Sequence, residues 1–294
     1  MFRISRCGYY KNLRKAYLQE SKDEEIIKLV KVKRKRMARV GTIKLYEMLK
    51  PEFIEMDIKC GRDKLFDILR EWSMLVKKKK NYTRTTNSYH KYRKYNNLIQ
   101  GLQISRPEQV WVSDITYIKT RDEDLYLFLI TDAYSKQIMG YEISDNMKVS
   151  SGLKALKMAF KNRIYPKRKL IHHSDRGIQY CHPDYTNKLE GNNVSVSMTT
   201  KYDPYENAIA ERVNGILKSE FDIGYINADV SYAIKEVKKS INTYNTFRPH
   251  MSCEFMTPEK AHRYGKYKLK KWHKRISSKP AGFDDILSLT LNQN

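Results

Sequence analysis

From residue 108 onward the apolar positions follow two periods in turn, alternating in pairs and then recurring every three or four residues. Val110 to Thr120 reads as a buried strand with Val110, Val112, Asp114 and Thr116 on one face. Arg121 to Asp124 is a polar turn, Leu125 to Thr131 a second strand, and Gln137 to Ile143 a third. Tight turns between three consecutive strands predict an antiparallel meander. Ser150 or Ser151 is expected to cap a helix running to about Asn162. A strand from Lys169 to His173, a helix from Pro183 to Glu190 and a strand from Val194 to Met198 follow. Two more helices are expected, from about Tyr205 to Phe221 and from about Asp229 to Asn245. The order predicts an α/β fold with a mixed sheet.

Before this region the period is helical. Ile26, Ile27 and Val30 share one side of a helix, Gly41-Thr42 makes a break, and Ile43 to Leu49 continues. Leu65, Phe66, Ile68, Leu69 and Trp72 mark a third helix between Arg62 and Val76. Helix, glycine turn, short helix and further helix is compatible with a helix-turn-helix unit, and equally with a plain three-helix bundle. The expected organisation is a helical region over 1–76, a basic linker over 77–107, an α/β core over 108–262 and a basic tail over 263–294.

Charge sharpens this picture. The chain carries 57 Lys and Arg against 33 Asp and Glu, a net charge of +24, which points to a polyanionic partner. Residues 77–107 hold nine Lys and Arg and no acid, with Tyr82, Tyr89, Tyr92 and Tyr95 interleaved. Such a segment is a flexible linker, a phosphate-binding and base-stacking strip, or both. Residues 266–280 add seven more basic residues and no acid. Cys7, Cys60, Cys181 and Cys253 form no CxxC pair, so neither a zinc knuckle nor a disulfide framework is expected, and a reducing cytoplasm fits. No apolar run is long enough to span a membrane, and the basic N-terminal residues do not read as a secretory signal.

Three acids stand out against this background. Asp114 sits mid-strand among apolar neighbours, where a carboxylate is costly unless it is paired or holds a cation. Asp175 follows the fourth strand, in HHSDRGIQY, with Gly177 expected to let the chain turn sharply. Glu211 lies on the helix NAIAERVNGILK, off its apolar stripe of Ile209, Val213, Ile216 and Leu217, in a polar column with Asn207, Asn214 and Lys218. Carboxylates suit Mg2+ or Mn2+, and two such ions about 4 Å apart activate water or a 3′ hydroxyl and stabilise the leaving oxygen. Asp132, Asp145, Asp203 and Glu206 read as turn or cap residues. A His172/His173/Asp175 metal site is disfavoured, because adjacent strand residues face opposite ways. Tyr244, Asn245, Arg248 and His250 read as packing residues, with Arg248 also open to DNA contact.

The blocks VWVSDITYI, HSDRGIQY (173–180), DPYENAIAERVNGILKSEF (203–221), INTYNTFRPH (241–250) and MTPEKAH (256–262) resemble the signature blocks of the IS3 group of insertion-sequence transposases, within the retroviral-integrase-like superfamily. Thirty-five residues separate Asp175 from Glu211, matching that superfamily's Asp-Asp-35-Glu pattern. Tyr202 departs from the pattern, standing where glycine is often found. The resemblance covers residues 105–262 strongly and 22–80 more loosely. It implies an RNase H-like core, a mixed five-stranded sheet flanked by helices, preceded by an all-α helix-turn-helix-like region.

Carried over by position, Asp114, Asp175 and Glu211 are the catalytic residues and ligands of two Mg2+ or Mn2+ ions, and Lys218 touches DNA nearby. Arg176, Asn207 and Arg212, with Lys77, Lys78, Lys79, Lys80 and Arg84 of the basic segment, are further expected DNA contacts. The implied activity is cleavage at the terminal inverted repeats of an element, then strand transfer, with a first end-to-end joining that gives a circle. The implied partners are those DNA ends, target DNA, further copies of the chain and an upstream-frame protein joined by ribosomal frameshifting, with no membrane. A non-catalytic DNA-binding protein and a ribonuclease H-type nuclease are the rival readings.

Overall fold

A computed structural model describes residues 5–77, 90–200 and 207–267. Three helices come first: α1 (Arg6–Arg34), α2 (Thr42–Glu55) and α3 (Arg62–Glu71). Strands β1 (Val110–Thr120), β2 (Asp124–Asp132) and β3 (Ile138–Ser144) follow, then α4 (Val149–Lys161) and β4 (Leu170–Ser174). The short α5 (Ile178–Cys181), α6 (Pro183–Glu190), β5 (Val194–Met198), α7 (Ala208–Glu220), β6 (Tyr225–Ile226), α8 (Val230–Thr246) and α9 (Pro258–Tyr264) complete the order.

The strands form one sheet in the order β3-β2-β1-β4-β5, with β6 paired to the far end of β1. β1, β2 and β3 are antiparallel, whereas β4 and β5 run parallel to β1. This is the mixed, helix-flanked sheet expected from the sequence. The two-residue β6 was not expected, being too short to carry a period.

Alternation along the strands divides the core into two layers. On one face Trp111, Ile115, Phe128 and Ile130 pack with Ala155, Leu156 and Ala159 of α4 and Tyr185 and Leu189 of α6. On the other, Ile118, Leu127 and Leu129 pack with Val213, Ile216 and Leu217 of α7 and Val237 and Ile241 of α8. α4 lies so close to β3 at Gly140 that an added Cβ would stand 2.2 Å from the Ala155 carbonyl oxygen. Neither Ser150 nor Ser151 caps α4. The N-cap is Lys148, and Ser151 is buried one turn in, its hydroxyl donating to Ser144 Oγ at 3.0 Å.

The helical region has its own core. Ile26, Ile27 and Val30 of α1 meet Leu45, Leu49 and Phe53 of α2 and Leu65, Ile68 and Leu69 of α3. Phe221 and Phe247, from beyond α7 and α8, pack against the same cluster. The junction is also polar. Glu220, the last residue of α7, accepts from Lys44 Nζ at 2.6 Å and from Arg248 Nε and a terminal Arg248 nitrogen at 2.9 Å each. α1 begins much earlier than the apolar period suggested, at Arg6, with Ser5 accepting from the Gly8 N–H. Its first half is exposed, so no buried stripe announced it.

Residues 90–107 are not a free linker. Tyr92 and Tyr95 pack on the α4/α6 layer, His90 Nε2 pairs with the Arg176 carbonyl at 2.8 Å, and the Leu98 N–H donates to Ser197 Oγ at 2.9 Å. Tyr82 and Tyr89 lie outside the described residues.

Candidate active site

Asp114 has even parity on β1, which turns it toward α7. Asn207 and Asn214, two turns apart on the sequence of α7 and its N-cap, hold that helix to the strand. The Asn207 amide donates to the Ser113 carbonyl at 3.1 Å, and Asn214 Nδ2 donates to Asp114 Oδ2 at 2.7 Å. Glu211 lies between them in the first turn of α7, on the exposed side of the column. Asp175 follows directly on β4, the parallel neighbour of β1, where ligands gather at strand ends.

Gly177 has an ordinary extended backbone, not a strained turn. Its use is space: an added Cβ would sit 3.0 Å from Asp175 Oδ1, which accepts the Gly177 N–H at 3.0 Å.

The three carboxylates feel one another. Burial first, then the charge of Asp175 and more weakly that of Glu211, push Asp114 up to about 7, against the hydrogen bonds from Asn214 and the Ile115 N–H. Burial and then Asp175 raise Glu211. Burial lowers Lys218 on the next turns of α7, and the Asp114 charge offsets part of that. A buried site with several negative charges and one nearby ammonium favours a bound cation.

In this arrangement both Asp114 oxygens and Asp175 Oδ1 accept from protein donors, and among the described residues no three His, Cys, Asp or Glu side chains converge closely enough to hold one ion. Asp114 on β1 and Asp175 just past the end of the neighbouring β4 lie one register step beyond the Ser113–Ser174 pair, and Glu211 is exposed on α7. The all-carboxylate donor set is chemically suited to a hard divalent cation.

The other acids and histidines are otherwise engaged. Asp132 accepts from the backbone of Glu108, Tyr134 and Ser135, the turn role expected of it. Asp145 accepts from its neighbours Ser144 and Asn146, and Asp203 and Glu206 lie outside the described residues. His172 contacts Ser113 Oγ at 2.7 Å and Tyr185 Oη at 3.1 Å, and burial drives it down to about 3, so it is neutral. His173 Nδ1 contacts Ser197 Oγ at 2.9 Å. The two rings thus diverge and form no His/His/Asp site with Asp175.

Of the expected DNA contacts, Arg212 and Lys77 are exposed, and Arg176 is half-buried with Nε donating to the Thr199 carbonyl at 2.7 Å. Asn207 is buried in its latch to Ser113, so a direct DNA contact from it is corrected to a structural bond. Arg248 is also corrected: it is 1% exposed and forks onto Glu220, with no face left for DNA. Lys78, Lys79, Lys80, Arg84 and Tyr202 lie outside the described residues. Asn214 was visible in the polar column, but its service to Asp114 depends on a contact 100 residues apart in sequence. Asn245 and Tyr244 pack α8 on the sheet as expected, bonding Ile138 and the Lys136 carbonyl.

Known proteins place this arrangement. Residues 104–204 and 192–258 match integrase core domain families. The chain is therefore an integrase-core polynucleotidyl transferase. The chain is 35% identical over 263 residues to the 31 kDa protein of insertion element IS600 from Shigella sonnei, covering 88% of this chain and 94% of that protein. It is 36% identical over 167 residues to transposase InsF of insertion sequence IS3A from Escherichia coli K12, covering 56% of this chain and 57% of InsF.

The chain belongs to the IS3 family of insertion-sequence transposases, enzymes of DNA transposition. Among solved structures, it is similar to a chain of a simian T-cell lymphotropic virus intasome complex at 17% identity and TM-score 0.48, covering 82% of this chain and 78% of that one. It is also similar to the HTLV-2 integrase catalytic core solved with magnesium, at 16% identity and TM-score 0.43, covering 53% and 97%. Among the described residues no helix is long and apolar enough to cross a membrane, and all four cysteines are free.

Proposed function

We propose that Asp114, Asp175 and Glu211 are the catalytic carboxylates and together hold two Mg2+ or Mn2+ ions, and that the chain cleaves and joins DNA at the terminal inverted repeats of its own element. The observation that carries this is Asp114: a half-buried mid-strand carboxylate, held by Asn214 of the Glu211 helix and pushed up by desolvation and then by its neighbouring acids. Bound ions would supply Lewis-acid activation of the attacking water or 3′ hydroxyl and would stabilise the leaving oxygen.

The chain's own part is positional. The Asn207 and Asn214 bonds fix the pitch of α7 on β1, so that Glu211 faces the Asp114–Asp175 side of the sheet. Lys218, half-buried along the same column, meets a phosphate beside the carboxylates, and Arg176 and the exposed Arg212 add cationic contact to the DNA. Hydrolysis at the element end leaves a 3′ hydroxyl, which then attacks a second phosphodiester and displaces its 3′ oxygen. End-to-end joining into a circle is the first such transfer, and target DNA receives the second.

The helical region 1–76 and the basic segment 77–107, with Lys77 to Lys80 and Arg84, take the flanking DNA, α/β residues 108–262 form the core, and the tail 263–294 adds cationic contact. Copies of the chain, and an upstream-frame protein of the element, assemble on the paired ends in the cytoplasm. The test is Asp114→Asn: metal-dependent nicking of terminal-repeat DNA is lost while salt-sensitive DNA binding persists. Nicking that survives in that variant rules out the triad.

A further inference from the structure

α1 is 29 residues long, yet among the described residues only its second half joins the helical core. In the first half, Arg6, Tyr10, Leu13, Tyr17, Glu20 and Glu24 recur at alternating spacings of four and three, the heptad seam of a two-helix coil. All six are exposed; Tyr10 is 57%, Leu13 56% and Tyr17 72% accessible. At about 100° per residue this seam is turned roughly 110° from the face that carries Ile26, Ile27 and Val30 into the bundle. Among the described residues it is therefore not a continuation of the chain's own core, and a row of exposed aromatic and aliphatic side chains marks a contact surface.

We propose that this seam pairs with the same seam of a second copy, antiparallel and centred on Lys15. The charges choose the orientation. In a parallel pair Arg6 would face Arg6, Glu20 face Glu20 and Glu24 face Glu24. In the antiparallel pair Arg6 faces Glu24, Tyr10 faces Glu20 and Leu13 faces Tyr17, with the complementary pairs repeated by the two-fold axis.

Every pair joins an a position to a d position, as antiparallel layers require, and Tyr10 brings its hydroxyl to a carboxylate. Lys15 lies about 180° from the seam and Lys11 about 140°, so both point outward, while Arg14 lies at the edge of the seam, about 80° from it. DNA is the poorer occupant, because the seam itself carries Glu20 and Glu24, which repel phosphate. A pair about 19 residues long with three aromatic or aliphatic residues per helix is small, so the association is weak, on the order of micromolar. This surface is independent of the carboxylate site.

Sedimentation equilibrium of the full chain, without DNA or metal and over about 1–100 µM, tests it. The wild type is expected to self-associate, and Leu13→Glu with Tyr17→Glu to weaken association at least about tenfold. Arg6→Glu weakens it too, and adding Glu24→Arg to that variant restores it to within about twofold. These positions are exposed, and unchanged circular dichroism confirms that each variant is folded. A monomeric wild type, association unmoved by the seam variants, or failure of Glu24→Arg to restore it overturns the proposal. Loss of DNA binding with association intact assigns the seam to DNA and overturns it as well.

Discussion

Asn214 donates its side-chain amide to Asp114 Oδ2 across 2.7 Å, joining the middle of the central strand to the helix that carries Glu211. That bond, with Asn207 on the Ser113 carbonyl, sets which side of α7 meets the sheet. A carboxylate held from one oxygen keeps the other directed by the backbone, here at the Ile115 N–H at 2.9 Å. The pair is a positioning device for the proposed metal site.

Asn214→Ala is expected to lower metal-dependent nicking by about 10–100-fold, the usual effect of removing a residue that orients a metal ligand. The defect is read in single-turnover assays, with part of it recovered at raised Mn2+. A rate unchanged at limiting metal contradicts the positioning role.

Breaking the junction at Glu220 has a different signature. Glu220→Ala leaves Arg248 buried without its fork partner, and removing one member of such a pair costs about 3–5 kcal/mol. Urea unfolding is expected to show that loss, with faster proteolysis between the helical region and the core. A change below about 1 kcal/mol contradicts the junction's role, that being the range of an exposed pair.

A second buried cluster sets a pH window. Burial alone would raise Glu108, but bonds from His262, Arg163 and the backbone of Ile164 and Tyr165 hold it at about 2. Burial alone would lower His262, but Asp132 and Glu108 raise it to about 9. Glu108 is depressed, so its contribution is present above 4.5 and lost as pH falls toward 2. His262 is raised, so its contribution is full below 6.5 and lost as pH rises through 9. His262→Gln is therefore expected to destabilise more at pH 6 than at pH 9.5 in urea melts. An equal loss at both contradicts a charged His262.

At Gly140 the limit is steric. Gly140→Val places a side chain where α4 already stands, 2.2 Å from the Ala155 oxygen. A cost of about 1–3 kcal/mol or more is expected, as for overpacked cores. Unchanged thermal unfolding contradicts the packing of α4 on β3.

The α/β core was legible because each strand buries a face and each turn is polar: the ends of β1 and β5 fall where the alternation starts and stops. The carboxylates were legible because Asp114 interrupts an apolar strand and Glu211 leaves an apolar stripe. What the sequence hid has no local signature. The Asn207 and Asn214 latches are contacts 94 and 100 residues apart. Arg248 reads as a packing residue open to DNA contact, and its partner is not legible until Glu220 is brought to it. Residues 90–107 read as a linker by charge, yet Tyr92 and Tyr95 pack partly buried against the core. Among the described residues the first half of α1 joins none of the core clusters, so burial periodicity is silent there.

The central claim is tested most directly by 3′-end nicking and end-to-end joining on DNA bearing the element's flanking terminal repeats. Wild type, Asp175→Asn and Glu211→Gln are compared with Mg2+ or Mn2+, each with and without the upstream-frame protein. The account predicts nicking and joining by the wild type and loss of both in either variant, with DNA binding retained in all three. Metal-dependent nicking by Glu211→Gln at the wild-type rate would contradict it.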